Sequence, residues 1–357
     1  MDDQYKTRYF LGSNSGDGFH SLYDGFVDCA GGDFLWVIKG GPGCGKSSFM
    51  KRIGHAAESA GLTVEYILCS SDPDSLDGIY IPALRVGYVD GTAPHVMEAP
   101  LPGAGALYLD LGSFYDSEPL VRRRDDIAEH FAGYQALYAR AYDLLAAAAR
   151  VSPERAPFVT DEDLLHAVRR RALGVAAREL KRRGGQGTVK RRFLTSNTYR
   201  GQVYLWETVA ATCGRVYVLD NELGLAHTFM ETILACATER GVDAVLCPSP
   251  LCPETLEALL LPDLAFVAAS AGHEYPGPAA RHIRLDAMVD QDRFRALRAD
   301  FRRCARLKND LLRAASDALS GSKTLHDALE SIYNPYVDFE GLYALADEHA
   351  AYLLGST

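Results

Sequence analysis

Short apolar runs ending in glycine-rich turns alternate along this chain with longer stretches of helical spacing. Residues 34–38, Phe-Leu-Trp-Val-Ile, are continuously apolar, the pattern of a strand buried on both faces. Residues 49–60 have helical spacing and stop before Gly61, a residue suited to the left-handed position that closes a helix. Val64–Leu68 and residues 86–89 read as further strands, and strand, helix and strand in this order predict a right-handed βαβ unit in a parallel sheet. After about residue 117 the texture changes. Residues 118–149, rich in Ala, Leu and Arg, predict a long helix. Thr160-Asp161-Glu162-Asp163 resembles a capping box for a second helix running to about Arg183, and Gly184-Gly185-Gln186-Gly187 predicts a turn or linker. Residues 215–219 form the matching apolar run of the second half, and helical patterns lie near 290–319, 322–333 and 338–354.

The two halves echo each other. Arg8-Tyr9-Phe10-Leu11-Gly12-Ser13-Asn14 returns as Arg191-Arg192-Phe193-Leu194-Thr195-Ser196-Asn197 at an offset of 183. Asp72-Pro73-Asp74-Ser75-Leu76-Asp77 returns as Cys252-Pro253-Glu254-Thr255-Leu256-Glu257, and Ile81-Pro82-Ala83-Leu84 as Leu261-Pro262-Asp263-Leu264, both at an offset of 180. Three matches in order at nearly constant offset predict an internal duplication: two α/β domains, 1–187 and 188–357, each followed by helices, with the boundary near 184–190. Ser13 and Asn14 persist as Ser196 and Asn197, which assigns them to a structural turn.

The 357 residues, 48% of them hydrophobic, suit two domains with sizeable cores. No apolar run approaches the roughly 18 residues of a membrane span. The first residues lack the basic and apolar regions of a signal peptide, so a cytoplasmic protein is expected. The net charge of −10 argues against a surface that binds nucleic acid throughout. The eight cysteines form no CxxC pair, which points to reduced thiols rather than a zinc site.

Gly40-Gly41-Pro42-Gly43-Cys44-Gly45-Lys46-Ser47 is a full match to GxxxxGK[ST], placed between an expected strand and an expected helix. Phosphate oxygens must approach backbone N–H groups closely there, so side chains are missing at Gly40, Gly43 and Gly45. On this reading Gly40, Gly41, Pro42, Gly43, Cys44, Gly45, Lys46, Ser47 and Ser48 cradle a nucleoside triphosphate. Lys46 bridges its phosphates and the Ser47 hydroxyl ligates Mg²⁺. The second half has no such loop. Of Asp220-Asn221-Glu222-Leu223-Gly224-Leu225-Ala226-His227-Thr228 only Gly224 matches, no lysine stands where Lys46 stood, and Asp220 and Glu222 would repel phosphate. Phe229-Met230 still echoes Phe49-Met50. One nucleotide per chain is expected.

With Cys69-Ser70-Ser71-Asp72-Pro73-Asp74-Ser75-Leu76-Asp77-Gly78 and Asp90-Gly91-Thr92-Ala93-Pro94-His95, the loop gives a sequence that resembles a family of uncharacterised bacterial ATPases built from tandem P-loop domains. The resemblance spans the chain and implies two P-loop NTPase-like parallel-sheet domains, ATP binding and hydrolysis. It names no substrate. Members of the family often look able to bind phosphate in both halves, a pattern from which residues 220–228 depart.

Asp90 ends an apolar strand, as a Mg²⁺-holding carboxylate would, although Gly91 follows where a catalytic acid often stands. An Asx turn before Gly91 is the second-ranked reading of Asp90. Asp72 and Asp74 follow a strand, where a DxD pair can hold Mg²⁺ and an acceptor hydroxyl; Ser-Asp-Pro-Asp is also a turn sequence. His95 could bind phosphate or be polar surface. Ten basic residues between 169 and 192 fit an arginine finger, a nucleic-acid contact or a solvated helix face. The leading expectation is a Mg²⁺-dependent ATPase with one active and one degenerate site, using Lys46, Asp72 and Asp90. A small-molecule kinase acting near Asp72 and Asp74, and a nucleotide-gated binding module with a protein partner, are the alternatives. The absence of NKxD counts against a GTPase.

Overall fold

The computed structural model describes residues 6–93, 96–152, 161–270 and 272–355. The first half contains β1 (Lys6–Tyr9), β2 (Gly12–Ser15), β3 (Gly18–Ser21), β4 (Phe34–Lys39), α1 (Lys46–Ser59), β5 (Val64–Leu68), β6 (Leu76–Ile81), β7 (Val86–Asp90) and β8 (Ala106–Asp110). Helices α2 (Ser117–Arg122), α3 (Arg124–Val151) and α4 (Glu162–Glu179) follow. The second half has β9 (Val189–Arg191), β10 (Thr195–Thr198), β11 (Gly201–Tyr204), α5 (Trp206–Thr212), β12 (Arg215–Asp220), α6 (Ala226–Glu239), β13 (Ala244–Pro248), β14 (Leu256–Leu261), β15 (Leu264–Ala269) and β16 (Arg281–Ile283). It closes with α7 (Gln291–Tyr333) and α8 (Phe339–Gly355). Among the described residues no helix is long and apolar enough to cross a membrane, and all eight cysteines are free thiols.

Two six-stranded sheets carry the architecture. The first has the order β1-β5-β6-β7-β4-β8 and the second β9-β13-β14-β15-β12-β16. Strand directions match as well: only β6 and its counterpart β14 run against their neighbours. The bulge between Ile67 and Leu68 recurs between Cys247 and Pro248, 180 residues later. The chain is therefore α/β with two mixed, mostly parallel sheets in one repeated plan.

The expected purely parallel sheet is corrected. Strands β4 and β5 are not neighbours, because the β6–β7 hairpin lies between them. Leu76-Asp77-Gly78-Ile79 hides β6, since Asp and Gly are poor strand formers. Gly78 is closely packed there: a Cβ would lie 3.1 Å from the Tyr88 carbonyl. The hairpin turn also breaks the 180-residue offset. Pro82–Arg85 joins β6 to β7, but only Pro262 and Asp263 join β14 to β15. Both turns close with a left-handed residue, Arg85 at φ 56° and Asp263 at φ 64°.

Helix boundaries differ from expectation in three places. Residues 118–149 divide at Arg123 into α2 and α3. Helix α4 ends at Glu179, short of Arg183, and its cap is Asp161, whose side chain accepts from Leu164 N; Thr160 lies outside the described residues. The helices expected on either side of residues 320–321 are one 43-residue helix, α7. The break signal there, Ser320-Gly321-Ser322, is a packing device. Helix α3 runs antiparallel along α7, and Leu137 and Leu325 fill the spaces left by Gly321 and Gly133.

Helices are exchanged between the halves. Leu342, Ala346 and Leu353 of α8 join the core of the first sheet, beside α1. Leu164, Val168, Ala172 and Val175 of α4 join the core of the second, beside α6. Near the start of each half the echoed segments pair reciprocally: Phe10 and Phe193 exchange both backbone hydrogen bonds, at 2.9 and 2.8 Å. Asn14 Nδ2 donates to the Asn197 carbonyl at 2.9 Å, and Asn197 Nδ2 to the Asn14 carbonyl at 2.7 Å. That buried reciprocity explains why Ser-Asn persists in both halves.

Candidate functional site

Strand β4 delivers the chain into the glycine-rich loop, and α1 leads it out. Gly43 and Gly45 take the left-handed φ values 69° and 82°, and a Cβ on Gly40 would meet Cys44 Sγ at 2.5 Å. Helix α1 opens without a side-chain cap and without an acidic residue in its first turn. Its leading N–H groups therefore keep the partial positive charge of a helix N-terminus. Lys46 Nζ donates to the Gly40 and Gly41 carbonyls at 2.8 and 2.9 Å, and Ser47 Oγ accepts from Leu76 N at 2.9 Å.

Pairing of Ile38 with Asp90 puts Asp90 beside the loop, nearly buried. Its Oδ1 accepts from Thr92 N and Oγ1 at 2.9 and 2.6 Å, while Oδ2 lies 3.6 Å from Lys46 Nζ. The Asx turn and the lysine contact thus coexist, one oxygen each. The far end of α7 and the start of α8 lie against the same loop. The space beside Gly43 is filled by Asn334 and Glu330, and that beside Gly45 by Phe339 and Leu342. With its amide oriented to donate, Asn334 reaches the Gly43 carbonyl at 3.1 Å. Tyr115 OH donates to the Pro42 carbonyl at 2.8 Å, and burial raises the Cys44 thiol pKa.

The structure brings Lys46, Ser47 and Asp90 together around residues 40–48, but it commits Asp72 and Asp74 elsewhere. Asp72 Oδ1 accepts from Asp74 N at 3.1 Å, and Oδ2 lies 3.4 Å from Lys323 of α7. The Asp74 carboxylate receives the fork of Arg200, from the hairpin turn of the second half. Both are parts of a clamped turn. A carboxylate without a distinct sequence signal is Asp77: buried, accepting from Tyr23 OH at 3.1 Å, and one position beyond the Gly78–Val89 pair, across from Asp90. Its recurrence as Glu257 was the available hint. On α7, His326, Asp327 and Glu330 gather ligand-type atoms within 4.8 Å, with Asp327 already paired to Lys323. The basic stretch 169–192 does not act as one patch. Arg192 is buried in an ion pair with Glu65, and Arg171 donates to the Arg284 carbonyl. His95 lies outside the described residues.

The second loop is built on the opposite principle. Aligning Phe229-Met230 with Phe49-Met50 puts Ala226 and His227 where Lys46 and Ser47 stand. Pairing of Leu219 with Ala268 puts alanine in the place of Asp90. The loop amides are taken by the protein's own carboxylates. Asp286 accepts from Glu222 N and Leu223 N at 2.9 and 3.2 Å, and Asp220 Oδ1 from Leu285 N and from Asp286 N at 3.0 Å. Asn221 Oδ1 caps α6 through Ala226 N at 2.9 Å. Burial and the facing Asp220 push the Asp286 pKa up to about 6.

Comparison of the chain with protein-family models, with curated proteins and with solved structures finds no match.

Proposed function

We propose that the loop at 40–48 binds a nucleoside triphosphate, ATP, with Mg²⁺, and that the protein hydrolyses it. What supports this reading is the contrast between the loops: the first leaves its α1 amides without a side-chain cap beside a lysine, whereas in the second Asp286 takes the amides of Glu222 and Leu223, Asn221 takes the first amide of α6, and no lysine stands at the position of Lys46. The residues fit the group. The uncapped start of α1 offers N–H groups to phosphate oxygens, and Lys46 rests on carbonyls that it can leave at little cost. Ser47 Oγ has a lone pair beyond the one facing Leu76 N, and Asp90 Oδ2 is free of the Asx turn. Mg²⁺ bound there would neutralise charge developing on the transferred phosphoryl group. Asp90 would hold the metal directly or through water, and Thr92 fixes its orientation.

Water is the favoured acceptor over a metabolite hydroxyl, because Asp72 and Asp74 are tied to Lys323 and Arg200. The reading of a nucleotide-gated binding module draws on one observation. Asn334 and Glu330 sit on Gly43, so filling the loop can be felt by α7 and α8.

Asp90→Asn is expected to lower Mg²⁺-dependent phosphate release on the order of 10–100-fold, the range for carboxylates that orient a metal's ligands. Nucleotide affinity measured by calorimetry should change far less. Wild-type hydrolysis by this variant would remove Asp90 from the site.

A further inference from the structure

We propose that the crevice of the second half is a binding site for a small polyanion carrying two or more phosphate groups, distinct from the triphosphate loop of the first half. A cavity of about 970 Å³ opens at the carboxyl ends of β12 and β15 and is walled by the first turns of α7. That volume suits a metabolite-sized ligand, and the carboxyl ends of parallel strands are where open α/β sheets bind ligands.

The charge on its α7 wall is ordered. Arg298, Arg302 and Arg306 recur every four residues and all line the cavity. Among the described residues none of the three has an ion-pair or hydrogen-bond partner. Their neighbours behave differently: Arg295, Arg303 and Arg313 each pair with an aspartate three residues earlier on the same helix. The arginines facing solvent are thus neutralised, and those facing the cavity are left for something else. From the first to the third, the row spans about 12 Å at roughly 1.5 Å per residue, more than one phosphate covers. Guanidinium forks suit phosphate oxygens.

Three carboxylates line the same cavity, Asp220, Glu222 and Asp286, and two of them do not cancel this row. Asp220 and Asp286 are turned onto backbone amides, which absorb their charge and also close the route by which phosphate would enter the loop itself. With Ala226, His227 and Ala268 at the positions of Lys46, Ser47 and Asp90, this crevice lacks the residues for a Mg²⁺-triphosphate. Its ligand is held chiefly by the arginine row and needs no metal.

The test uses full-length Lys46→Ala protein, which silences the first loop, titrated calorimetrically with inorganic tripolyphosphate without Mg²⁺. Binding is expected, weakening at least about tenfold when Arg298, Arg302 and Arg306 are all changed to alanine, because three charge-assisted contacts are lost together. Changing Arg295, Arg303 and Arg313 instead removes the same charge from the same helix and should leave binding within about twofold. Orthophosphate should bind at least about tenfold more weakly than tripolyphosphate. Absence of binding to the Lys46→Ala protein, or equal losses in the two triple variants, would overturn the proposal. Because Lys46 is already absent, failure here leaves the reading of the first loop untouched, and the reverse holds.

Discussion

Lys46→Ala is expected to weaken Mg²⁺-ATP binding by roughly 10–150-fold and to bring phosphate release to background. Hydrogen bonds to charged groups are worth about 1.5–3 kcal/mol, and each 1.4 kcal/mol is about a factor of ten. The loss in turnover should exceed the loss in binding, because the ammonium counters charge that grows as the γ-phosphoryl group departs. The fold should survive. Lys46 meets two loop carbonyls, the Cys44 sulfur and one oxygen of Asp90, whose other oxygen stays anchored by Thr92. Calorimetric titration with Mg²⁺-ATP, paired with phosphate release on the same preparation, checks both numbers. Unchanged affinity and turnover in a folded variant would refute the triphosphate site altogether. Lys46→Arg is not expected to rescue, because a planar fork cannot replace a compact ammonium between the Gly40 and Gly41 carbonyls and Asp90.

Much of this site was legible in the sequence because its demands are local. A tight turn from strand to helix requires glycines where the backbone turns left-handed, and Gly43 and Gly45 do take such conformations. The duplication was legible too, since repeated motifs in order fix a repeated plan whatever the fold. What stayed hidden is non-local. Strand β6 looked like a turn continued by Asp77 and Gly78, yet β5 and β7 on either side pull it into the sheet. The exchange of α4 and α8 between the cores depends on which apolar faces meet across the chain, and helical spacing says only that a face exists. Asp72 read as well as a ligand as a turn residue. Lys323, 251 residues away, decides its surroundings. Sequence also named Asp220 and Glu222 as repelling phosphate, but it could not show that Asp286, from beyond β16, supplies the carboxylate that occupies the loop amides.

Arg192→Met is expected to destabilise the protein by about 3–5 kcal/mol, the range for removing one partner of a buried ion pair. The sequence placed Arg192 in a basic stretch that fits an arginine finger, a nucleic-acid contact or a solvated face; in the structure it is 1% exposed. Nε donates to Glu65 Oε1 at 2.6 Å, and the terminal nitrogens donate to the carbonyls of Gly25, Phe26 and Arg191 at 2.9–3.0 Å. Glu65 belongs to β5 of the first sheet, whereas Arg192 follows β9 of the second, so this one guanidinium ties the sheets together where Phe10 pairs with Phe193. Truncation leaves a largely buried carboxylate and two carbonyls of the first half without their donor, a cost that Arg192→Lys cannot fully restore because an ammonium lacks the fork. Glu65→Leu combined with Arg192→Met removes both charges together and should recover a substantial part of the loss. Urea denaturation followed by circular dichroism reads the effect as a fall in midpoint, with Arg182→Ala on the exposed part of the same stretch as the comparison that should not move. If Arg192→Met denatures at the wild-type midpoint, the halves are held by their other contacts, among them the Phe10–Phe193 and Asn14–Asn197 pairs, and the buried arginine has no part in joining them.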